Sequence, residues 1–318
     1  MRNLKKGHPV LPSLPLEHLE QWETRIVLKK AAEAHRYLAE LKGVAATIPN
    51  EEILINTLTL QEARHSSEIE NIITTQDDLY RAVVADEASV SPETKEVQDY
   101  AIALRAGFRS VRKSRLIRLN DILLIQETLE KNQAGLRKLP GTALKNQATG
   151  EVVYEPPQSA RDIEVLMSNL VAKDLLDLPV LYLSRYLIQT KAGYYQELQG
   201  VRDTGNWEPW LLYMLEGVSQ TAQQTIALIS QIRELMQHTK HRMRAECPKI
   251  YRQELLNNLF NHPYTKIDFV MEDLAVTRIT ATKYLEELVS IGLLDKRKVG
   301  RSNFYINSPL MALFLERA

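Results

Sequence analysis

Residues 277–306 decide the fold of the C-terminal part of the chain and read TRITATKYLEELVSIGLLDKRKVGRSNFYI. Apolar side chains spaced three and four residues apart predict a helix that begins near Thr277 and ends at Gly292. The residues after it predict two short strands joined by a Val299-Gly300 turn. Two shorter helices are predicted upstream, between residues 255 and 274. Three helices followed by a two-stranded wing are the order of a winged helix-turn-helix.

The third of these helices and the wing carry side chains suited to DNA. Residues near the start of such a helix meet base edges in the major groove, and basic wing residues suit phosphates. We therefore predict DNA contacts by Thr277, Arg278, Thr280 and Lys283 on the helix and by Lys296, Arg297, Lys298 and Arg301 on the wing. The alternative is a solvated basic turn on a small helical domain, and winged domains also serve as protein-docking modules.

The sequence before residue 250 predicts mostly helices. Helix starts are expected at Asn50, at Thr75 and at Ser91-Pro92, where a capping side chain or a first-turn proline precedes an amphipathic run. Further helices are predicted over 182–198 and 210–236, and the basic stretch 238–244 is interpreted as a linker.

Residues 135–157 interrupt the helical pattern. Glycines, asparagine and a Pro156-Pro157 pair surround the short run Val152–Tyr154, which predicts a small β-hairpin. After it, Ser159 with Asp162 resembles a capping box that begins another helix.

Composition excludes several classes of protein. Of 318 residues, 44% are hydrophobic and 25% charged, which is the composition of a globular protein with enough apolar residues for a sizeable core. Lys plus Arg and Asp plus Glu number 40 each, so no global field attracts nucleic acid or anionic membrane. A single cysteine, Cys247, excludes an internal disulfide framework and a four-thiolate zinc site. No apolar run is long enough to cross a membrane, and we expect a cytoplasmic protein.

Five motifs follow one another along the chain. The first, Ser66-Ser67-Glu68-Ile69-Glu70-Asn71, fits the pattern Ser/Thr-x-x-x-Glu-Gly/Asn. The others are LRKLPG at 136–141, TGEVVYEPP at 149–157, the segment from Leu178-Pro179 to Tyr194-Tyr195, and WEPWLLYMLEG at 207–217. Together they resemble the Fic family of protein adenylyltransferases, in the class with an N-terminal inhibitory helix and a C-terminal winged domain.

The resemblance implies transfer of AMP from ATP to a hydroxyl side chain of a target protein. The catalytic loop of the family has the pattern His-Pro-Phe-x-Asp/Glu-Gly-Asn-Gly-Arg-x-x-Arg. Its histidine accepts the proton of the attacking hydroxyl, and its carboxylate binds Mg²⁺. Its glycines let backbone N–H groups bind the phosphates, and its arginines neutralise charge during transfer.

That catalytic loop is absent from this sequence. Only His8 and His262 of the seven histidines precede proline, neither begins a glycine-rich turn, and no two glycines are separated by a single residue. The family segments on either side of the loop are joined directly by residues 171–174, as after an in-frame deletion. We therefore predict no catalytic residue, no metal ligand and no productive binding of ATP or Mg²⁺. The sequence leaves open whether the deletion is genuine or artificial, and whether the product is degenerate or has kept DNA-binding and partner-binding functions.

Three further sites follow only from the resemblance. Ser66, Glu70 and Asn71 would form the inhibitory motif, in which Glu70 reaches the ATP site; the alternative is a solvated helix end capped by Asn71. Tyr195 would lie on the adenine side of ATP, and the alternative is a packing residue on a helix. Val152, Val153 and Tyr154 would form the flap that binds the target segment by strand addition. The alternative is a surface hairpin.

The predicted fold is mainly α: a Fic-type helical bundle with a small β-hairpin, followed by a C-terminal winged helix-turn-helix domain. Its regions are an N-terminal arm with the inhibitory helix at 1–90, a Fic-like helical domain at 91–245 and the winged domain at 250–318. The partners implied are a protein with a hydroxyl side chain and, through the wing, DNA. A homo-oligomer is left open.

Overall fold

The computed structural model of the protein describes residues 19–83, 90–114, 117–145, 149–150, 152–154, 159, 182–299 and 302–315. In these residues the fold is mainly α, as predicted. The helices found there are α1 Arg25–Ala45, α2 Glu51–Ile69, α3 Gln76–Ala82, α4 Pro92–Ser114, α5 Leu119–Glu130, α6 Ser184–Gln189, α7 Lys191–Thr204, α8 Glu208–Glu246, α9 Gln253–Asn261, α10 Ile267–Leu274, α11 Arg278–Ser290 and α12 Ser308–Leu315. No helix of this part of the chain combines the length and the apolar character that a membrane span requires.

Five short strands form two antiparallel sheets within the same residues. The strands are β1 Leu144–Lys145, β2 Val152–Tyr154, β3 Tyr264–Thr265, β4 Asp295–Val299 and β5 Ser302–Ile306. β1 pairs with β2, which confirms the predicted hairpin. The second sheet has the order β3-β5-β4, so the predicted two-stranded wing has a third strand from residues 264–265.

The described residues belong to two compact units, each built from separate stretches of the chain. The first unit contains those within Met1–Lys29, Ile102–Pro179 and Ala192–Tyr213. The second contains those within Lys30–Ala101, Val180–Lys191 and Met214–Ala318. These units do not follow the predicted regions 1–90, 91–245 and 250–318, which remain a prediction of family domain boundaries. The helix expected after Ser159 and the junction at 171–174 lie outside the described residues.

Side-chain caps begin the helices where the sequence predicted them. The Asn50 side chain accepts a hydrogen bond from the Glu52 N–H at 3.0 Å, and the Thr75 hydroxyl accepts one from the Asp78 N–H at 3.1 Å. Each bond satisfies an N–H that the first helical turn leaves unpaired. Pro92 is the first residue of α4, where a missing N–H costs nothing.

Two helix predictions need correction. The helix expected over 182–198 is broken into α6 and α7 at Thr190, whose hydroxyl donates to the Tyr186 carbonyl at 2.7 Å and whose φ of −118° is not helical. The presumed linker at 238–244 is part of α8, because Thr239 and Met243 are buried and the first helix breaker after them is Pro248.

The core of the second unit includes the segment that was predicted to be a separate winged domain. One buried apolar cluster extends from Leu41 through α2 and α8 to Phe314 in α12. Tyr80 of α3 stacks on Tyr264 of β3, with ring centroids 6.3 Å apart, and on Phe314 at 6.1 Å. The Tyr264 hydroxyl also donates to the Asp77 carboxylate. Residues 253–315, here called the C-terminal segment, therefore share their core with α2 and α3.

α6 approaches α8 closely at a glycine. A Cβ at Gly217 would lie 2.6 Å from a ring atom of Tyr186, a distance that real Cβ atoms do not show. The absence of a side chain at this position therefore lets the Tyr186 ring pack against the backbone of α8.

Candidate functional site

The predicted inhibitory motif occupies the C-terminal end of α2. Glu70 and Asn71 are exposed, and Ser66 is half-buried with its side chain hydrogen-bonded to the Tyr100 hydroxyl. Asn71 has a φ of 65°, and its N–H donates to the Glu68 carbonyl at 3.1 Å. This is the left-handed residue that ends many helices. Asn71 therefore has the left-handed conformation expected for the alternative interpretation, a solvated helix end that this residue closes.

α7 contributes a cation to the same helix end. The Lys191 ammonium donates to the Ile69 carbonyl at 2.9 Å. Carbonyls of the last helical turn lack intrahelical partners and carry the negative end of the helix dipole, so a lysine here stabilises the end of α2.

A polar cleft that the sequence analysis missed lies further along α2, against α6 and α8. It has a volume of about 40 Å³. Polar residues line most of it, namely Gln61, Glu62, His65, Tyr182, Arg185, Thr221, Gln224 and Thr225, and Leu58 and Leu228 complete the lining. Ser184 donates its hydroxyl proton to one Glu62 carboxylate oxygen. The other oxygen is buried, and no hydrogen-bond partner for it lies among the described residues. The i, i+3 spacing of Glu62 and His65, which puts both on one side of α2, was the available sequence signal.

Burial shifts the pKa values of both titratable groups in this cleft. It raises the pKa of Glu62 to about 7, although the hydrogen bonds from Ser184 oppose the change. It lowers the pKa of His65 to about 4, and the charges of Arg64 and Arg185 act in the same direction. Because a guanidinium has only donors, the His65 Nε2 accepts the hydrogen bond from Arg64 Nη2 at 2.8 Å. His65 is therefore neutral at neutral pH.

Tyr195 lies on α7 in the first unit. Its ring is 53% exposed and meets Tyr194 edge-on at 5.3 Å, and Tyr194 in turn contacts Trp210 at 5.3 Å. Tyr195 is thus the outer member of an aromatic cluster. The flap residues lie on the β1–β2 hairpin, where Lys145 is opposite Val152 and Leu144 is opposite Tyr154.

The predicted base-reading residues begin α11 in the second unit. Thr277 is the N-cap and accepts from the Thr280 N–H at 3.4 Å, while Arg278 and Lys283 are exposed. Arg278 forms an ion pair with Asp268 of α10 at 3.1 Å. Because both partners are well exposed, this pair is weak and the guanidinium is available to other acceptors.

The register of the wing separates its basic side chains onto two faces. Lys296 lies opposite Tyr305, and both contact Glu286 of α11, the ammonium at 2.5 Å and the hydroxyl at 2.7 Å. Successive strand residues point to opposite faces, so Lys298 shares the α11 face with Lys296 whereas Arg297 lies on the other face. Arg301 lies outside the described residues.

The family resemblance implies a metal ion and a nucleotide. Among the described residues no three His, Cys, Asp or Glu side chains are close enough to bind one metal ion. The sequence also contains no Gly-x-Gly turn that could present backbone N–H groups to phosphates.

Two family models match the chain. One is described as Fic/DOC family N-terminal and matches residues 28–109. The other is described as Protein adenylyltransferase SoFic-like, C-terminal domain, and matches residues 235–310. The first of these ranges contains α2 with its Ser66–Asn71 motif, and the second contains α9–α11 and the wing.

A solved structure is also similar to the chain. It is a Fic family protein from Desulfovibrio desulfuricans G20, with 12% sequence identity and a TM-score of 0.49. The match covers 89% of this chain and 96% of that one. The two family models, matched at opposite ends of the described fold, identify the chain as a Fic family protein of the adenylyltransferase type.

Proposed function

We propose that this Fic family chain does not transfer AMP by itself and acts instead through its C-terminal segment, as a DNA-binding regulator. The observation that carries the first half is the absence of the family loop His-Pro-Phe-x-Asp/Glu-Gly-Asn-Gly-Arg from the sequence. Without it the chain lacks the base for the attacking hydroxyl, the carboxylate for Mg²⁺ and the N–H groups for the phosphates.

The state of Glu70 supports this proposal. In the family this glutamate excludes the γ-phosphate by pairing with the last arginine of the catalytic loop. That arginine has no counterpart in the sequence, and the Glu70 side chain is exposed at the end of α2. The inhibitory motif is thus retained without the group on which it acts.

Incubation of the wild-type chain with labelled ATP and Mg²⁺ tests this part of the proposal. We expect no label on the chain, because each of the groups that the transfer requires is missing. A complete Fic family adenylyltransferase in the same buffer is the positive control. Label on this chain that requires Mg²⁺ would contradict the proposal.

The second half rests on the face that α11 and the wing share. Thr277, Arg278 and Lys283 are exposed at the start of α11, and Lys298 lies on the same face of the wing as Lys296, which contacts α11. Basic side chains beside an exposed helix are suited to phosphates on either side of the major groove. The ammonium of Lys296 is paired with Glu286, so we expect Lys283 and Lys298 to make the phosphate contacts.

The salt dependence of the affinity for a DNA duplex tests whether the face of β4 that carries Lys298, and not the face that carries Arg297, contacts phosphates. For two phosphate contacts, log K should fall with log salt with a slope of about −1.8, and Lys298→Gln should reduce the slope to about −0.9. Arg297→Gln removes the same charge from the other face of β4 and should leave the slope unchanged. A slope unchanged from wild type in Lys298→Gln would remove the wing from the DNA-binding face, and a reduced slope in both variants would contradict the separation of the two faces.

A further inference from the structure

Ile279, the second residue of α11, is unusual for its exposure. Its side chain is 83% exposed, the highest value among the exposed large hydrophobic residues described. The other apolar residues of α11 that face its neighbours, such as Leu285 and Leu288, are completely buried. Ile279 therefore contributes nothing to the core and points away from it.

The hydroxyl groups around Ile279 are already engaged within the helix. The Thr277 and Thr280 hydroxyls bond each other at 3.1 Å, and Thr282 donates its hydroxyl proton to the Arg278 carbonyl at 2.8 Å. The hydroxyl protons used in these bonds are not available to base edges. In the first two turns of α11, the exposed charged side chains are those of Arg278 and Lys283, and the exposed large apolar side chain is that of Ile279.

The surroundings of Ile279 favour a nucleic acid over a protein surface as its partner. A protein interface needs a contiguous apolar patch, but the only other exposed large hydrophobic residue described in the C-terminal segment is Leu315, at the end of α12. Ile279 is instead flanked by an arginine, a lysine and threonines. The C5-methyl group of thymine is a single apolar group in the major groove, which one aliphatic side chain can contact while its neighbours meet polar atoms.

We propose that Ile279 contacts a thymine methyl group in the major groove and so selects an A·T pair at one position of the DNA site. This inference rests on the proposed DNA-binding function. It adds an apolar base contact to a set of residues that the sequence analysis took to be hydroxyl and basic side chains only.

Thymine-to-uracil replacement tests the contact, because uracil lacks only the C5-methyl group. The probe is a duplex selected from random sequences by the wild-type chain, with each thymine replaced in turn by uracil. At one position the replacement should weaken wild-type binding about fourfold, which is the effect of no longer burying one methyl group. For Ile279→Ala the same replacement should change nothing, and its thermal unfolding should match that of wild type because the side chain is exposed.

The outcomes separate this inference from the proposal beneath it. If the wild-type chain selects a duplex but no uracil position discriminates between wild type and Ile279→Ala, the methyl contact is wrong and DNA binding stands. If the wild-type chain retains no duplex, the DNA-binding function is wrong and the contact is wrong with it. If this face binds a protein and the chain retains no duplex, both the DNA-binding function and the methyl contact are wrong.

Discussion

Replacing Glu62 and replacing His65 are expected to change the pH dependence of stability in opposite directions. The folded pKa of Glu62 is raised to about 7, so the folded protein binds a proton that the unfolded chain releases near pH 4.5. The free energy of unfolding that Glu62 contributes is therefore largest in acid, and about 3 kcal/mol of it is lost as pH rises to about 7. Glu62→Gln abolishes this loss and should be more stable than wild type at and above neutral pH.

His65 acts with the opposite sign. Its folded pKa is lowered to about 4, so the folded state excludes a proton that the unfolded chain binds below pH 6.5. The stability that depends on neutral His65 is present above pH 6.5, and about 3 kcal/mol is lost as pH falls through about 4. In the wild-type chain the two contributions oppose each other over the window that they share.

Urea unfolding at pH values from about 4 to about 8 measures both slopes. Relative to wild type, Glu62→Gln should gain stability as pH rises and His65→Asn should lose it. Glu70→Gln, an exposed carboxylate at the end of the same helix, is the matched control. Curves for Glu62→Gln and His65→Asn that run parallel to wild type would show that the cleft is not buried as described.

Truncating Tyr80 to alanine is expected to destabilise α2 and the C-terminal segment together. The Tyr80 ring is 94% buried and stacks on Tyr264 and Phe314. Loss of a buried aromatic ring costs about 3–5 kcal/mol. Because one apolar cluster joins α2, α3 and residues 253–315, the cost should be shared by all of them.

Hydrogen exchange followed by mass spectrometry measures the loss of stability separately for each peptide. In Tyr80→Ala, peptides from α2 and from α9–α12 should lose protection to a similar extent. Tyr195→Ala, which removes a ring that is 53% exposed and lies outside this cluster, should leave the exchange of these peptides unchanged. Faster exchange confined to α3 would show that the C-terminal segment has a core of its own.

Local sequence signals predicted local structure well. The caps at Asn50 and Thr75, the first-turn proline of α4 and the β1–β2 hairpin are all where residue types placed them. These features depend on one or two side chains that satisfy neighbouring backbone groups. The order of helices and strands after residue 250 was predictable for the same reason.

Features that depend on distant contacts were not predictable. β3 is only two residues long, and it exists because Thr265 and Tyr264 pair with β5, about forty residues later. The Tyr264 hydroxyl donates to the Asp77 carboxylate, and the two residues are 187 positions apart in the sequence. Hydrophobic periodicity describes single helices and strands and does not predict such a contact. The break at Thr190 lies in the stretch 184–192, which contains neither proline nor glycine, so no helix breaker in the sequence signals it.

The candidate site shows the same limit. A motif pointed to Ser66, Glu70 and Asn71. The half-buried Glu62 and the buried His65 form a cleft only because α6 and α8 cover that face of α2. The opposite facing of Arg297 and Lys298 likewise follows from strand register, which a run of three basic residues does not reveal.

We propose that this Fic family chain lacks the groups needed to transfer AMP, rather than having its activity inhibited. An AMP-transfer assay on Glu70→Gly beside wild type tests this most directly, because the absence of label on wild type alone would also be expected of an inhibited enzyme. If Glu70 masked a complete site, its removal would expose activity. We predict no label on wild type or on Glu70→Gly with labelled ATP and Mg²⁺. Label on Glu70→Gly that exceeds that on wild type would contradict the claim.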